Sequence, residues 1–149
     1  MKKIIAFFIT VAISIGMTSC SQARSAREML DELMELYPAT GAVYYSDACE
    51  TEEGYISEEL FSRIYVYHGE LPSEFAIYLN THTDYGSECG VFVCEDEDER
   101  ARVTDMCRER IDLVGRGGDH AFIARSGSVV FYSTLSDRER AEKIWNAVR

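Results

Sequence analysis

The side chains of this chain that could do chemistry are its cysteines, its histidines and two runs of carboxylates. Cys49, Cys89, Cys94 and Cys107 follow an earlier Cys20. Thiols pair as disulfides in an oxidising compartment. Four of them allow three complete connectivities, and sequence does not choose among these. Cys49 and Cys89 read as loop residues that could pair. Cys94 reads as a strand residue and Cys107 as part of the apolar face of the next helix. Those two could pair, or be buried as small hydrophobes. Cys89 and Cys94 are five apart, wider than a usual zinc pair, and no second close pair exists. The histidines His68, His82 and His120 do not stand four apart, and no H-E-x-x-H pattern occurs. His82 lies beside Asp84 in a polar stretch, which reads as a solvated loop. With a cysteine, the two would be the weak basis for a small hydrolase. No G-x-S-x-G element, P-loop or dinucleotide glycine pattern is present. Asp47, Glu50, Glu52 and Glu53 could share a calcium ion, but their spacing is not that of an EF-hand. Glu95 to Glu99 reads better as a helix start, where carboxylates meet the positive end of the dipole. The expectation is no catalytic centre, no metal site and no cofactor.

The first twenty residues are more specific. Lys2 and Lys3 precede an apolar run from Ile4 to Met17, broken only by Thr10, Ser14 and Gly16. That run is about 14 residues, whereas a helix spanning a bilayer needs roughly 20. A basic start, a short apolar core and a small-residue exit fit a cleaved signal peptide. Met17-Thr18-Ser19-Cys20 resembles a bacterial lipobox. In that class Met17, Thr18 and Ser19 are read by the signal peptidase. The Cys20 sulfur takes a diacylglycerol, and the chain is cut before it. Two or three acyl chains hold lastingly, since each buried methylene contributes about 0.8 kcal/mol and one chain alone is marginal. The reading is a signal peptide over 1–19, a polar tether over 20–27 and one domain over 28–149. The protein would sit on the extracytoplasmic face of the cell membrane. Arg24 and Arg27 could touch anionic headgroups or merely open the first helix.

Removal of Lys2 and Lys3 leaves 13 basic residues against all 26 acidic ones, a formal charge of −13. Such a domain is repelled by phosphate backbones, so nucleic acid is not expected as a partner. A protein with a basic patch, or a cation, fits better. The tyrosines suit either a recognition surface or half-buried packing.

Hydrophobic periodicity supplies the frame. Met29, Leu30, Leu33, Met34 and Tyr37 form one helical face, which Pro38 closes. Ala42 to Ser46 reads as a strand. Ile56 and Phe61 flank Ser57 as a staple around a helix N-cap, and Gly69 reads as that helix's C-cap. Phe75 to Asn80 alternates as a strand, and Val91 to Glu95 is another. Val103, Met106, Cys107, Ile111 and Val114 make the buried face of a long helix stopped at Gly115. Ala121 to Arg125 and Ser128 to Ser133 form a hairpin through Ser126-Gly127. Ser136 and Glu139 read as a capping box for a last helix carrying Ala141, Ile144, Trp145 and Val148. The order α-β-α-β-β-α-β-β-α predicts an α+β fold: a mostly antiparallel sheet of about five strands, with helices packed on one face.

Three stretches carry a resemblance. They are Tyr55-Ile56-Ser57-Glu58-Glu59-Leu60-Phe61, Glu74-Phe75-Ala76-Ile77-Tyr78, and Cys89-Gly90-Val91-Phe92-Val93 leading to a helix with Arg108-Glu109-Arg110. Together with the lipobox, they resemble an uncharacterised family of small lipoproteins of clostridial-type anaerobes. The resemblance spans roughly Glu28 to Val148. It implies location and topology and brings no activity. The four cysteines of the domain depart from that family's cysteine-poor pattern. The functional expectation is a membrane-anchored, non-enzymatic binding or adaptor domain. A lipoprotein binding a small ligand or cation through its acidic loops is the second reading, and a small hydrolase the third.

Overall fold

Local signals set the ends of most elements. In the computed structural model, which describes residues 24–80, 86–115 and 118–149, helix α1 spans Ala26–Leu36. Ser25 caps it in a reciprocal box with Glu28. Helix α2, Glu58–Tyr65, starts at Ser57, whose side chain accepts from the Leu60 N–H at 3.2 Å. Helix α3, Glu97–Val114, starts at Asp96 and ends at Gly115, which has φ +69°. Helix α4 is Arg138–Val148. The strands are β1 Ala42–Tyr45, β2 Glu74–Leu79, β3 Glu88–Val93, β4 Phe122–Ser126 and β5 Val129–Ser133. They form one antiparallel sheet in the order β1-β2-β3-β5-β4. The α+β class and the five-stranded antiparallel sheet are as the sequence predicts. Met17, Thr18, Ser19, Cys20, His82 and Asp84 lie outside the described residues.

The helices pack on both faces of the sheet rather than on one. Phe75, Ile77, Phe92, Val130 and Tyr132 join Phe61, Tyr65, Val103, Met106 and Cys107 of α2 and α3. Ala76, Tyr78, Cys89, Val91 and Phe131 join Met29, Leu30, Leu33, Ile144, Trp145 and Val148 of α1 and α4. Successive strand residues face opposite sides, so both sets are buried and the sheet is the middle of three layers. The alternation in β2 misled because its second set, Ala76 and Tyr78, is as buried as the first. Phe131 stacks on Trp145 with ring centroids 4.3 Å apart and planes 9° from parallel. Each fully buried large apolar side chain stabilises by about 1.5–3 kcal/mol.

Other expectations shift by a few residues, for identifiable reasons. β3 begins at Glu88, so Cys89 is a buried strand residue and not a loop residue. Its backbone is drawn in by pairing with both β2 and β5. The α4 N-cap is Asp137, which accepts from the Arg140 N–H at 3.0 Å, and not Ser136. The α2 C-cap is Val66 at φ +50°, three residues before Gly69. There the Tyr67 N–H reaches back to the Ser62 carbonyl at 3.0 Å. The expected tether is partly folded: Arg27 lies within α1, and Ala26 is fully buried. The Ala26 N–H donates to Glu74 at 2.5 Å. Arg24 bonds the Val148 carbonyl and pairs with Glu32.

Candidate functional site

Glu88, the first residue of β3, is a buried carboxylate held by a buried ion pair. It faces the α2/α3 layer and is 2% exposed. Arg110 on α3 grips it with Nε to Oε1 at 2.7 Å and a terminal nitrogen to Oε2 at 2.6 Å. The Tyr132 hydroxyl donates to Oε1 at 2.8 Å. The Tyr65 and Tyr132 hydroxyls lie 2.9 Å apart. The second terminal nitrogen of Arg110 donates to the Ile64 carbonyl at 2.6 Å. That carbonyl belongs to the last turn of α2, where helix carbonyls lack intrahelical donors. One arginine thus joins the sheet, α3 and the end of α2.

The sequence builds this cluster through a gap in β3. Gly90 stands opposite Ile77 on one side and Tyr132 on the other. A Cβ there would lie 2.7 Å from the Tyr132 ring and 2.9 Å from Phe92. Only glycine lets the Tyr132 ring lie across β3 and reach Glu88.

Burial and charge set the protonation of the cluster. Burial works against the Arg110 cation, but the hydrogen bonds and charge of Glu88 outweigh it and raise the Arg110 pKa. Burial, then the neighbouring hydroxyl and Glu88, hold Tyr132 protonated well above its ordinary range. Tyr65 is raised by burial first and then by Glu88. The result is a charged pair with two neutral phenols. Each phenol has a partner, so the arrangement clamps elements together and presents no free nucleophile.

Beside Tyr65 the surface carries two exposed apolar side chains. Val66 is 54% exposed and Leu113 is 57% exposed. They share a shallow concavity of about 430 Å³ with Tyr65, Glu109 and Asp112. On the other side of Val66, Glu59, Ser62, Arg63 and His68 line a second depression. No motif along the chain marks this place. One signal was available: Arg110 lies three residues after Cys107 and falls on the apolar stripe of α3, where a cation needs a buried partner.

Among the described residues the structure brings Cys94 and Cys107 into one buried cluster, near enough that Cys94 helps raise the Cys107 thiol, while the remaining candidates do not converge. Cys49 is exposed, whereas Cys89, Cys94 and Cys107 are buried, and all four are free. Burial raises the Cys89 and Cys107 thiols above their ordinary range, and burial with Glu99 pushes Cys94 up to about 11. In the acidic loop, Asp47 is taken by Arg27 at 2.6 Å and Glu52 by the Cys49 N–H at 2.8 Å. Among the described residues, no three His, Cys, Asp or Glu side chains are placed to hold a metal ion. Glu99, read as a helix-start residue, is also a buried tie. It accepts from the Ser73 N–H and the Glu95 N–H, each at 2.6 Å. His68 and His120 are exposed. None of the helices described is long and apolar enough to cross a membrane.

The fold defines a class, a three-layer α+β domain with a five-stranded antiparallel sheet between two helix pairs. No protein-family model, curated protein or solved structure matches the chain.

Proposed function

We propose that this is a lipid-anchored, extracytoplasmic binding or adaptor domain without catalytic activity, held to the bacterial cell membrane through Cys20. The observation that carries the reading is the nearness of the lipobox-like Met17-Thr18-Ser19-Cys20 to the first packed residues. Arg24 and Ala26 already bond Val148 and Glu74. Residues 21–24 extend at most about 14 Å. A domain tethered so closely acts on what lies at the membrane surface. Its exposed apolar pair, Val66 and Leu113, suits contact with another macromolecule. The resemblance to the clostridial-type lipoprotein family is part of the same proposal. Its supports are the stretches Tyr55–Phe61, Glu74–Tyr78 and Cys89–Val93, the helix with Arg108-Glu109-Arg110, and the lipobox-like segment.

The test is incorporation of labelled palmitate, with membrane fractionation, in cells making the native chain or Cys20→Ser. The native chain should carry label and sediment with membranes, and Cys20→Ser should do neither. An unlabelled native chain in the soluble fraction would overturn the anchor.

A further inference from the structure

We propose that the Val66–Leu113 surface is a docking site for a basic amphipathic helix of a partner protein. The helix would seat its apolar face on these two side chains, and its lysines or arginines would meet Glu109 and Asp112. The proposal rests on the binding-domain reading and gives that reading a place and a partner chemistry.

The first argument is strain. Val66 ends α2 in the left-handed region, at φ +50° and ψ +38°. It is the one non-glycine residue described with positive φ. A β-branched residue there is a genuine outlier, and glycine is the usual occupant. Stability does not explain the valine, because its side chain is more than half exposed and buries little. Strain without compensating burial points to a use for the side chain itself.

The second argument is placement. Val66 and Leu113 come from different helices and open into one concavity. The Arg110 bond to the Ile64 carbonyl holds the end of α2 against α3, two residues before Val66. The apolar pair is therefore presented where α2 is tied to α3. A shallow trough between two helix ends, with apolar anchors and a polar rim, suits a helix laid into it.

The third argument is charge. The charged residues in that concavity are Glu109 and Asp112, both exposed. Neither carboxylate has an ion-pair partner among the described residues, whereas Asp105 and Glu97 on the same helix are paired with Arg108 and Arg100. Two carboxylates without an ion-pair partner among the described residues select a cationic rim on the Leu113 side of the partner, away from Arg63 on the far side of Val66. They also oppose a second copy of this acidic chain.

The test uses the full anchored chain in phosphatidylcholine nanodiscs, with empty nanodiscs as reference. Its probe is a fluorescent 18-residue amphipathic helical peptide with a leucine face and a lysine–arginine face; a copy with glutamate in place of the cations is the control. Anisotropy should show binding of the basic peptide and not of the acidic one. Val66→Gly and Leu113→Ser should each weaken binding at least tenfold, while Leu36→Ser, an exposed leucine on α1, should change it less than twofold. Val66→Gly should also raise Tm by about 2–4 °C through relief of strain, so lost binding is not lost folding. Unchanged binding in Val66→Gly and Leu113→Ser would overturn the surface and leave the binding-domain reading intact. No binding of the basic peptide, or self-association abolished by Leu113→Ser, would overturn the partner chemistry. A lowered Tm in Val66→Gly would overturn the strain argument.

Discussion

The Glu88 carboxylate and the Arg110 guanidinium meet in two near-parallel hydrogen bonds of 2.7 and 2.6 Å, with the two side chains only 3% and 13% exposed. They lie 22 residues apart in sequence and join the middle strand of the sheet to α3. The same arginine reaches the end of α2. A pair so placed is costly to bury and more costly to break.

Arg110→Leu should therefore destabilise the domain by about 3–5 kcal/mol, because Glu88 is left charged and buried. The double replacement Glu88→Leu with Arg110→Leu should cost less than the single one, since no charge is then stranded. Urea unfolding of the three proteins checks this. A double variant weaker than Arg110→Leu would show that the pair contributes net stability of its own.

Alkaline pH should unfold the domain. Tyr65, Tyr132, Cys89 and Cys107 all have folded-state pKa values raised by burial. Their contribution is complete below the unfolded values, about 8.5 for a thiol and about 10 for a phenol. It is lost as pH rises from there toward the raised folded values, because the unfolded chain ionises first. Each such group should lower stability by roughly 1.4 kcal/mol per pH unit in that window. Thermal melts from pH 7 to 11 should be level at first and fall steeply above about pH 9. A level profile to pH 11 would contradict the burial of these groups.

The last helix separates two adjacent candidates for its cap. Asp137→Ala should cost about 1 kcal/mol, the usual worth of an N-cap. Ser136→Ala should change stability by less than about 0.5 kcal/mol, since its exposed hydroxyl makes only a long, 3.5 Å contact with the Tyr37 hydroxyl. Equal losses from the two, measured by chemical denaturation, would put the cap in doubt.

Thiol labelling reads the burial of the cysteines directly. In a Cys20→Ser background, Cys49 should react with an aromatic disulfide reagent in the native state. Cys89, Cys94 and Cys107 should react only as the domain unfolds, since they are buried and their thiols are held protonated. A native state in which Cys107 reacts as fast as Cys49 would contradict the packing of α3 on the sheet.

Much of the frame was legible from local spacing. Ser57, Asp96 and Gly115 mark helix ends through bonds that reach only three or four residues along the chain. The stripe Val103, Met106, Cys107 and Ile111 is a helical period whatever it packs against. The one-residue error at Ser136 and Asp137 arose because two capping side chains stand side by side. The misplaced Gly69 arose because glycine is only the usual left-handed residue, and here valine takes the position.

By itself, the sequence determined the order and type of the elements, the acidic balance and the lipobox-like pattern ending at Cys20. These follow from backbone preference, hydrophobic period and charge, which are properties of neighbours along the chain. Only the tertiary structure decided that helices cover both faces of the sheet, that Glu88 meets Arg110, and that Val66 and Leu113 open into one concavity. Tyr65 and Tyr132 are 67 residues apart, and their hydroxyls meet at 2.9 Å. Period two says which strand residues share a face, but not whether a helix will arrive to bury the other one. That depends on where α1 and α4 pack once the sheet has formed, and no local signal carries it.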